Sequence, residues 1–228
     1  HACGPNMQVK IPCTRAGIWT MEEATYEGIS VMATLVYSLD QAIAAAEAIE
    51  RGLARRQREG KDNSGLNPVC AVLLGMQEDW LKSYADANNI VLDPDAFLYA
   101  GEAVCKQVYR VFRQRKIQTR VLVAYYRHHR HWSAFMGGDI IMTIPYKWQR
   151  RFADCDVPLE NNMDKPVPER YLRQLNRLSP FRTAVTEHAM PVADFDSFPP
   201  VTLTLRYFIE VYEKGVMLIR DLMLPKPI

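Results

Sequence analysis

This sequence is short of the features that mark several large protein classes. With 11 Gly and 14 Pro in 228 residues it is neither collagen-like nor low-complexity. No apolar run reaches the roughly 18 residues of a membrane span, and the N-terminal stretch has no signal-peptide core. No charge of one sign dominates: 28 Lys and Arg against 26 Asp and Glu leave a net +2, so composition marks no nucleic-acid surface. The cysteines number five, and none stands in a CxxC pair. An odd, unpatterned set points to a reduced, cytoplasmic interior. Gly-rich phosphate loops of the Walker or dinucleotide type are absent, as are the GxSxG elbow and HExxH. The chain opens on His1 rather than Met, which reads as a processed product or a piece of a longer protein.

What is present is an alternation of strand and helix patterns over the first two thirds. Met7 to Pro12 reads as a short strand closed by proline, and Ile18 to Glu27 as a helix with Gly28 at its C-terminal cap. Ile29 to Val36 is a nearly unbroken β-branched and apolar run, the pattern of a strand buried on both faces in a parallel sheet. Ser38 followed by Gln41 is a capping box. It opens a long helix with Leu39, Ile43, Ala46, Ile49 and Leu53 on one face and Arg55, Arg56 and Arg58 at its negative end. That basic cluster reads as a solvated helix end. Val69 to Leu74 is the next buried strand, followed by a helix over Met76 to Asn88. Asp93-Pro94 opens a helix to about Gln114. Arg120 to Tyr126 and Asp139 to Ile144 read as the last two strands, with a short helix at Trp132 to Phe135 between them. Five strand–helix steps of this length imply parallel strands in right-handed βα units.

From Pro145 to Pro200 the chain holds eight prolines and little periodicity. Short helices after Pro145 and around Glu169 to Leu178 are expected within irregular chain. A final helix from Thr202 to Leu222 carries Leu203, Phe208, Val211, Val216 and Ile219 on an apolar side that needs a partner surface. The domain reading is one unit: residues 1–145 as the α/β body and 146–228 as an extension packed on it.

Two places can carry chemistry. Lys10 sits between Val9 and Ile11 in a strand pattern. Pointed into an apolar site it would lose water, its pKa would fall, and a neutral amine can attack a carbonyl. Pointed outward it would be an edge-strand lysine that discourages strand pairing. The run Arg127-His128-His129-Arg130-His131 follows the strand RVLVAYY directly, and the carboxyl ends of parallel strands face the binding crevice. The arginines can hold a phosphate. A metal site in HHxH is a weaker reading, because adjacent histidines on one turn diverge. A solvated helix start remains open.

Val9-Lys10-Ile11-Pro12-Cys13-Thr14-Arg15-Ala16-Gly17, continued by Glu27-Gly28-Ile29-Ser30-Val31-Met32-Ala33-Thr34-Leu35-Val36-Tyr37-Ser38-Leu39-Asp40-Gln41, resembles the transaldolase family. The family pattern is a lysine in KIPAT on the fourth strand of a (β/α)8 barrel, then EGINVNVTLLFSLEQ on the fifth. The resemblance continues more weakly through Val121 to Arg127, similar to VMGASFRN on strand seven, and Gly137 to Pro145, similar to GCDLLTISP on strand eight.

The resemblance implies an α/β fold of the TIM-barrel type, partial, with strands four to eight present. It implies a class I aldolase activity on sugar phosphates of the pentose-phosphate type. Lys10 would form the Schiff base, Thr34 would position a catalytic water, and Arg127, with Arg130, would hold the phosphate, with no metal and no organic cofactor. No nucleic acid or membrane is implied as a partner. Where the family has an asparagine on strand five, a serine on strand six, an arginine shortly after it and a serine on strand seven, this chain has Met32, Ala71, Met76 and Tyr125. The family's acidic residues from strands one and three would have to come from a missing N-terminal half or a partner copy. A non-catalytic relative that binds a sugar phosphate or a protein is the second reading.

Overall fold

The computed structural model describes residue 4 and residues 6–224. Its centre is one sheet of five parallel strands, ordered β1-β2-β3-β4-β5 as in the sequence. They are β1 Gln8–Pro12, β2 Ser30–Val36, β3 Val69–Leu73, β4 Arg120–Ala124 and β5 Ile141–Met142. Every neighbour pair is parallel, so all carboxyl ends lie at one side of the sheet.

The crossovers are helices whose ends follow local chemistry. In α1, Arg15–Tyr26, the Thr14 side chain accepts the Gly17 N–H, and the chain leaves through Gly28 at φ +83. In α2, Leu39–Arg58, the Ser38 hydroxyl accepts the Gln41 N–H at 3.2 Å. Gln41 closes the box one residue early: its side-chain oxygen accepts from Tyr37 N–H at 3.0 Å rather than from Ser38 N–H, and also from the Ser38 hydroxyl at 3.4 Å. In α3, Leu74–Ala87, the helix starts directly on the end of β3, earlier than expected. The expected helix after Asp93 is two pieces, α4 Pro94–Phe97 and α5 Ala100–Arg115. Between them Leu98 and Tyr99 donate to Asp95 and Ala96, three residues back, which tightens the turn and breaks the axis. α6, Arg130–Ser133, is a single turn.

The fifth strand is two residues long rather than six, because pairing to β4 is confined to Leu122 with Ile141 and Val123 with Met142. Ile140 N–H instead turns back to Gly138. The Pro-rich segment carries more helix than expected: α7 Tyr146–Ala153, α8 Glu169–Leu175, α9 Ser179–Val185 and a 3-10 turn at Val192–Ser197. The α9 helix has Pro180 in its first turn, where proline starts helices rather than breaks them. This segment is tied to the α/β body by polar contacts. Asp40 accepts the His188 and Met190 N–H groups at 2.7 and 2.8 Å. Lys106 donates to the Asn162 and Lys165 carbonyls.

The last helix, α10 Pro199–Met223, begins against the sheet and continues into solvent. Val201 and Thr204 are buried and Leu205 and Phe208 pack on the core. The expected docking face is corrected here: Leu203 and Val211 are 52% and 47% exposed. The contact side runs through 201, 204, 205 and 208, the one helical stripe that meets Tyr37.

Gly52 marks how closely α1 and α2 approach. A Cβ there would lie 2.6 Å from the Glu22 carbonyl oxygen and 2.8 Å from Thr25 Cβ. Alanine in a helix interior ordinarily gains about 1 kcal/mol over glycine; here the clash with backbone reverses the sign. Gly52→Ala is expected to lower stability by about 1–3 kcal/mol, read as a lower midpoint in urea unfolding.

Candidate active site

The register assigns side chains to one face of the sheet. Lys10 pairs with Met32 and Pro12 with Thr34. Side chains alternate along a strand and register partners face the same way, so Lys10, Met32 and Thr34 share a face. Ile11 and Ala33 occupy the opposite, buried face. Past Ala33 the register shifts, at Leu35 with φ +55, which re-aims the end of β2.

Lys10 is exposed on β1, an edge strand. The protein around its amine still withdraws enough water to lower its pKa below the ordinary lysine value. Thr34 is 4% exposed, and its hydroxyl is a buried oxygen without a hydrogen-bond partner among the described residues. Such a group costs free energy unless a ligand or water meets it.

Arg127 lies three residues beyond β4, on the carboxyl side that β1 and β2 also present. Its Nε and Nη2 donate to Asp79 at 3.0 and 2.8 Å, and Nη1 donates to the Tyr126 carbonyl. Of the five guanidinium hydrogens these contacts use three, leaving two for an anion. The loop that carries Arg127 is pinned to α3. Gly75 N–H donates to the Tyr125 carbonyl at 2.9 Å, and Tyr125 has φ +65. A Cβ on Gly75 would lie 2.3 Å from that carbonyl and 2.7 Å from Arg127 Cγ.

Arg130 is placed differently. Its Nε donates to Glu102 at 3.0 Å, and its guanidinium lies 4.1 Å over the Tyr99 ring. Glu102 is 1% exposed and also receives Lys106 at 3.0 Å. Arg130 thus serves a buried carboxylate between α6 and α5. No hydrogen bond joins Lys10, Thr34 and Arg127 to one another among the described residues. Lys10 and Thr34 share a face of the sheet, and Arg127 lies past the carboxyl end of β4, three strands from Lys10.

Beyond the residues singled out from sequence, Glu78 is fully buried and accepts from both His128 Nε2 at 3.0 Å and His131 Nε2 at 2.8 Å. His128 and His129 do diverge, the latter to Ser133, but His128 and His131 converge on one carboxylate. Burial alone would raise the Glu78 pKa; hydrogen bonds from the two imidazoles outweigh it and hold the carboxyl below its ordinary range. The sequence signal is a carboxylate in the apolar stripe of α3, in series with Leu74, Leu81 and Ala85. Tyr37 is a second addition. Its hydroxyl meets Thr204 at 2.6 Å and the Met76 sulfur at 3.7 Å, which fixes the start of α10 beside the strand ends.

The parallel α/β sheet thus carries a lysine on one strand, a buried threonine on the next and an arginine past the carboxyl end of β4. The family model for transaldolase/fructose-6-phosphate aldolase matches residues 1–191, and the chain belongs to that family. It is 39% identical to a transaldolase of Thermobifida fusca over 67 residues, 29% of this chain and 18% of that protein. It is 30% identical to a transaldolase of Kocuria rhizophila over 110 residues, 48% and 30% of the two chains. It is 32% identical to a probable transaldolase of Chlorobium phaeobacteroides over 143 residues, 62% and 48%. The chain spans less than half the length of these relatives.

Gly75→Ala is expected to displace the Tyr125–Arg127 loop, since the added methyl meets a backbone oxygen that cannot give way. Amide chemical-shift changes should centre on residues 125–127 and 75–79 and leave β1 and β2 unmoved.

Proposed function

We propose that this chain carries the Schiff-base half of a transaldolase-type enzyme, which transfers a three-carbon ketol unit between sugar phosphates of the pentose-phosphate kind. The observation that carries the reading is Lys10 on the sheet face with Met32 and Thr34, its amine partly desolvated. An amine with lowered pKa is neutral in larger fraction and attacks a ketose carbonyl. Addition gives a carbinolamine, and loss of water gives the imine. As a base contributed by the remainder of the barrel takes the C4 hydroxyl proton, the protonated imine draws the C3–C4 bonding pair, releasing an aldehyde and leaving a three-carbon enamine on Lys10. Addition of the enamine to an aldose phosphate completes transfer, and water then hydrolyses the new imine. The unpaired Thr34 hydroxyl suits a role in holding that water. Arg127 offers two free hydrogens to the phosphate, and Arg130, whose ion pair with Glu102 seats α6, would join it with the hydrogens that pair leaves. This chemistry needs neither metal nor organic cofactor.

The two edges of the sheet, β1 and β5, each have one strand neighbour among the described residues. That supports reading the sheet as strands four to eight of a (β/α)8 barrel, completed by an N-terminal half or by a partner copy. Contacts of Asp40 and Lys106 support placing residues 146–228 in the same domain as 1–145. No helix among the described residues is long and apolar enough to cross a membrane, and a cytoplasmic setting fits the free thiols of Cys13, Cys70, Cys105 and Cys155. The second reading, a relative that binds a sugar phosphate or a protein without catalysis, draws on Met32 beside Lys10 and Met76 against Tyr37, thioether side chains with no hydrogen to donate.

The test is borohydride trapping with fructose 6-phosphate, read by peptide mass spectrometry on the chain and on Lys10→Met. The reduced adduct is expected on Lys10 and lost in the variant. Arg127→Ala should keep the adduct but require about tenfold more ketose phosphate, since phosphate contacts bind ground and transition states alike. An adduct on Lys106 or Lys116 instead, or none, would remove Lys10 as nucleophile and put the binding reading first.

A further inference from the structure

The reading of Arg127 as the phosphate ligand leaves unexplained why a fully buried carboxylate and two imidazoles are packed beneath its loop. The contacts form a chain. Glu78 Oε1 accepts from His131 Nε2 at 2.8 Å, and His131 Nδ1 accepts the Arg127 backbone N–H at 3.0 Å. Asp79, the next residue on α3, holds the guanidinium of the same arginine. A ring nitrogen that accepts an N–H carries no proton, so neutral His131 has its proton on Nε2, facing Glu78.

We propose that Glu78 and His131 are positioning residues for Arg127: the carboxylate fixes the imidazole tautomer, and the bare Nδ1 sets the backbone from which the arginine reaches the phosphate. The inference rests on the phosphate-binding reading of Arg127 and adds how its pose is held. α3 grips the arginine at three points: Gly75 against its stem, His131 seated on Glu78 at its backbone, and Asp79 at its guanidinium.

One atom from each of Glu78, His128 and His131 lies within 4.8 Å of the others, a spacing also compatible with a divalent cation. The Arg127 N–H decides against that use. With Nδ1 occupied as an acceptor, Nε2 of His131 keeps its proton and has no lone pair for a metal unless the ring becomes an imidazolate. Metal-binding imidazoles ordinarily donate from the second nitrogen, the reverse of what Nδ1 does here.

The arrangement is sensitive to acid. A second proton on His131 sits on Nδ1 and points at the Arg127 N–H, so the acceptor is lost. The groups facing the ring are Glu78 from α3, His128 and Arg127 from the loop before α6, and Tyr126 edge-on from the end of β4. Burial is the largest effect and, with the electrostatic influence of His128 and Arg127, outweighs Glu78, so the His131 pKa lies below the ordinary imidazole value. The hydrogen bond is therefore intact at neutral pH and lost as pH falls through that lowered value.

The test titrates the full chain with sulfate, a dianion whose charge is constant over the range, and follows the Arg127 amide and the His131 ring nitrogens by NMR. Affinity is expected to fall about tenfold as the His131 nitrogens titrate, the size of one lost positioning hydrogen bond. The sign is diagnostic, because added positive charge alone strengthens anion binding at low pH. Glu78→Gln, which keeps the shape, should weaken sulfate by a similar factor at neutral pH and flatten the profile. Affinity that rises steadily on acidification, or a pH-independent affinity unchanged in Glu78→Gln, overturns the inference while the phosphate reading stands. Sulfate binding that Arg127→Ala does not reduce overturns both.

Discussion

The close approach of α3 to the end of β4 is the contact on which the candidate site depends. Leu74 follows β3 without a spacer, and Gly75 lies within a hydrogen bond of the Tyr125 carbonyl. No other residue type fits, since any Cβ would overlap that oxygen. The contact holds Tyr125 in a left-handed conformation that a tyrosine adopts only under constraint. From that turn the chain delivers Arg127 to Asp79 and to His131, and α3 delivers Glu78 beneath them. The parallel sheet sets which side of the molecule is used; this one glycine sets where the arginine stands.

The second organising fact is the division of charge between site and support. Arg127 pairs with half-exposed Asp79 at the surface, whereas Arg130, three residues on, is bound to buried Glu102. Both arginines come from one basic run, and their sequence context does not separate them. What separates them is the partner: Asp79 is half-exposed and engages one edge of its guanidinium, while Glu102 is enclosed and held by Lys106 as well. A carboxylate removed from water demands its cations, and Arg130 and Lys106 supply them.

Much of the fold was legible in the sequence because its signals are local. The β-branched runs gave the strands, and Ser38 and Gly28 gave helix ends whose caps the structure contains. The parallel order followed from crossover length. What was not legible depends on tertiary contact: the break between α4 and α5, the shortening of β5, and the helices in the Pro-rich segment. The same holds for the site. Lys10, Thr34 and Arg127 stand in motifs that resemble a family, and the family model matches that part of the chain. Glu78 and His131 belong to no such motif. A glutamate in an apolar helix stripe was the visible trace, but its partners lie 50 and 53 residues away and only folding joins them. The α10 contact face departs from the expected one for a related reason. An apolar helix offers more than one stripe, and the choice among them was made by Tyr37, which takes Thr204 as its partner.

The account as a whole turns on whether the amine of Lys10 is poised to react. Its ionisation can be followed directly in the chain by the 13C shift of its ε carbon, with the lysines labelled and Lys10→Met used to assign the signal. The account predicts a titration midpoint below the ordinary lysine value, as withdrawal of water from the ammonium requires. A midpoint at or above the free-lysine value would contradict it, since a fully solvated ammonium at the sheet edge is not a prepared nucleophile.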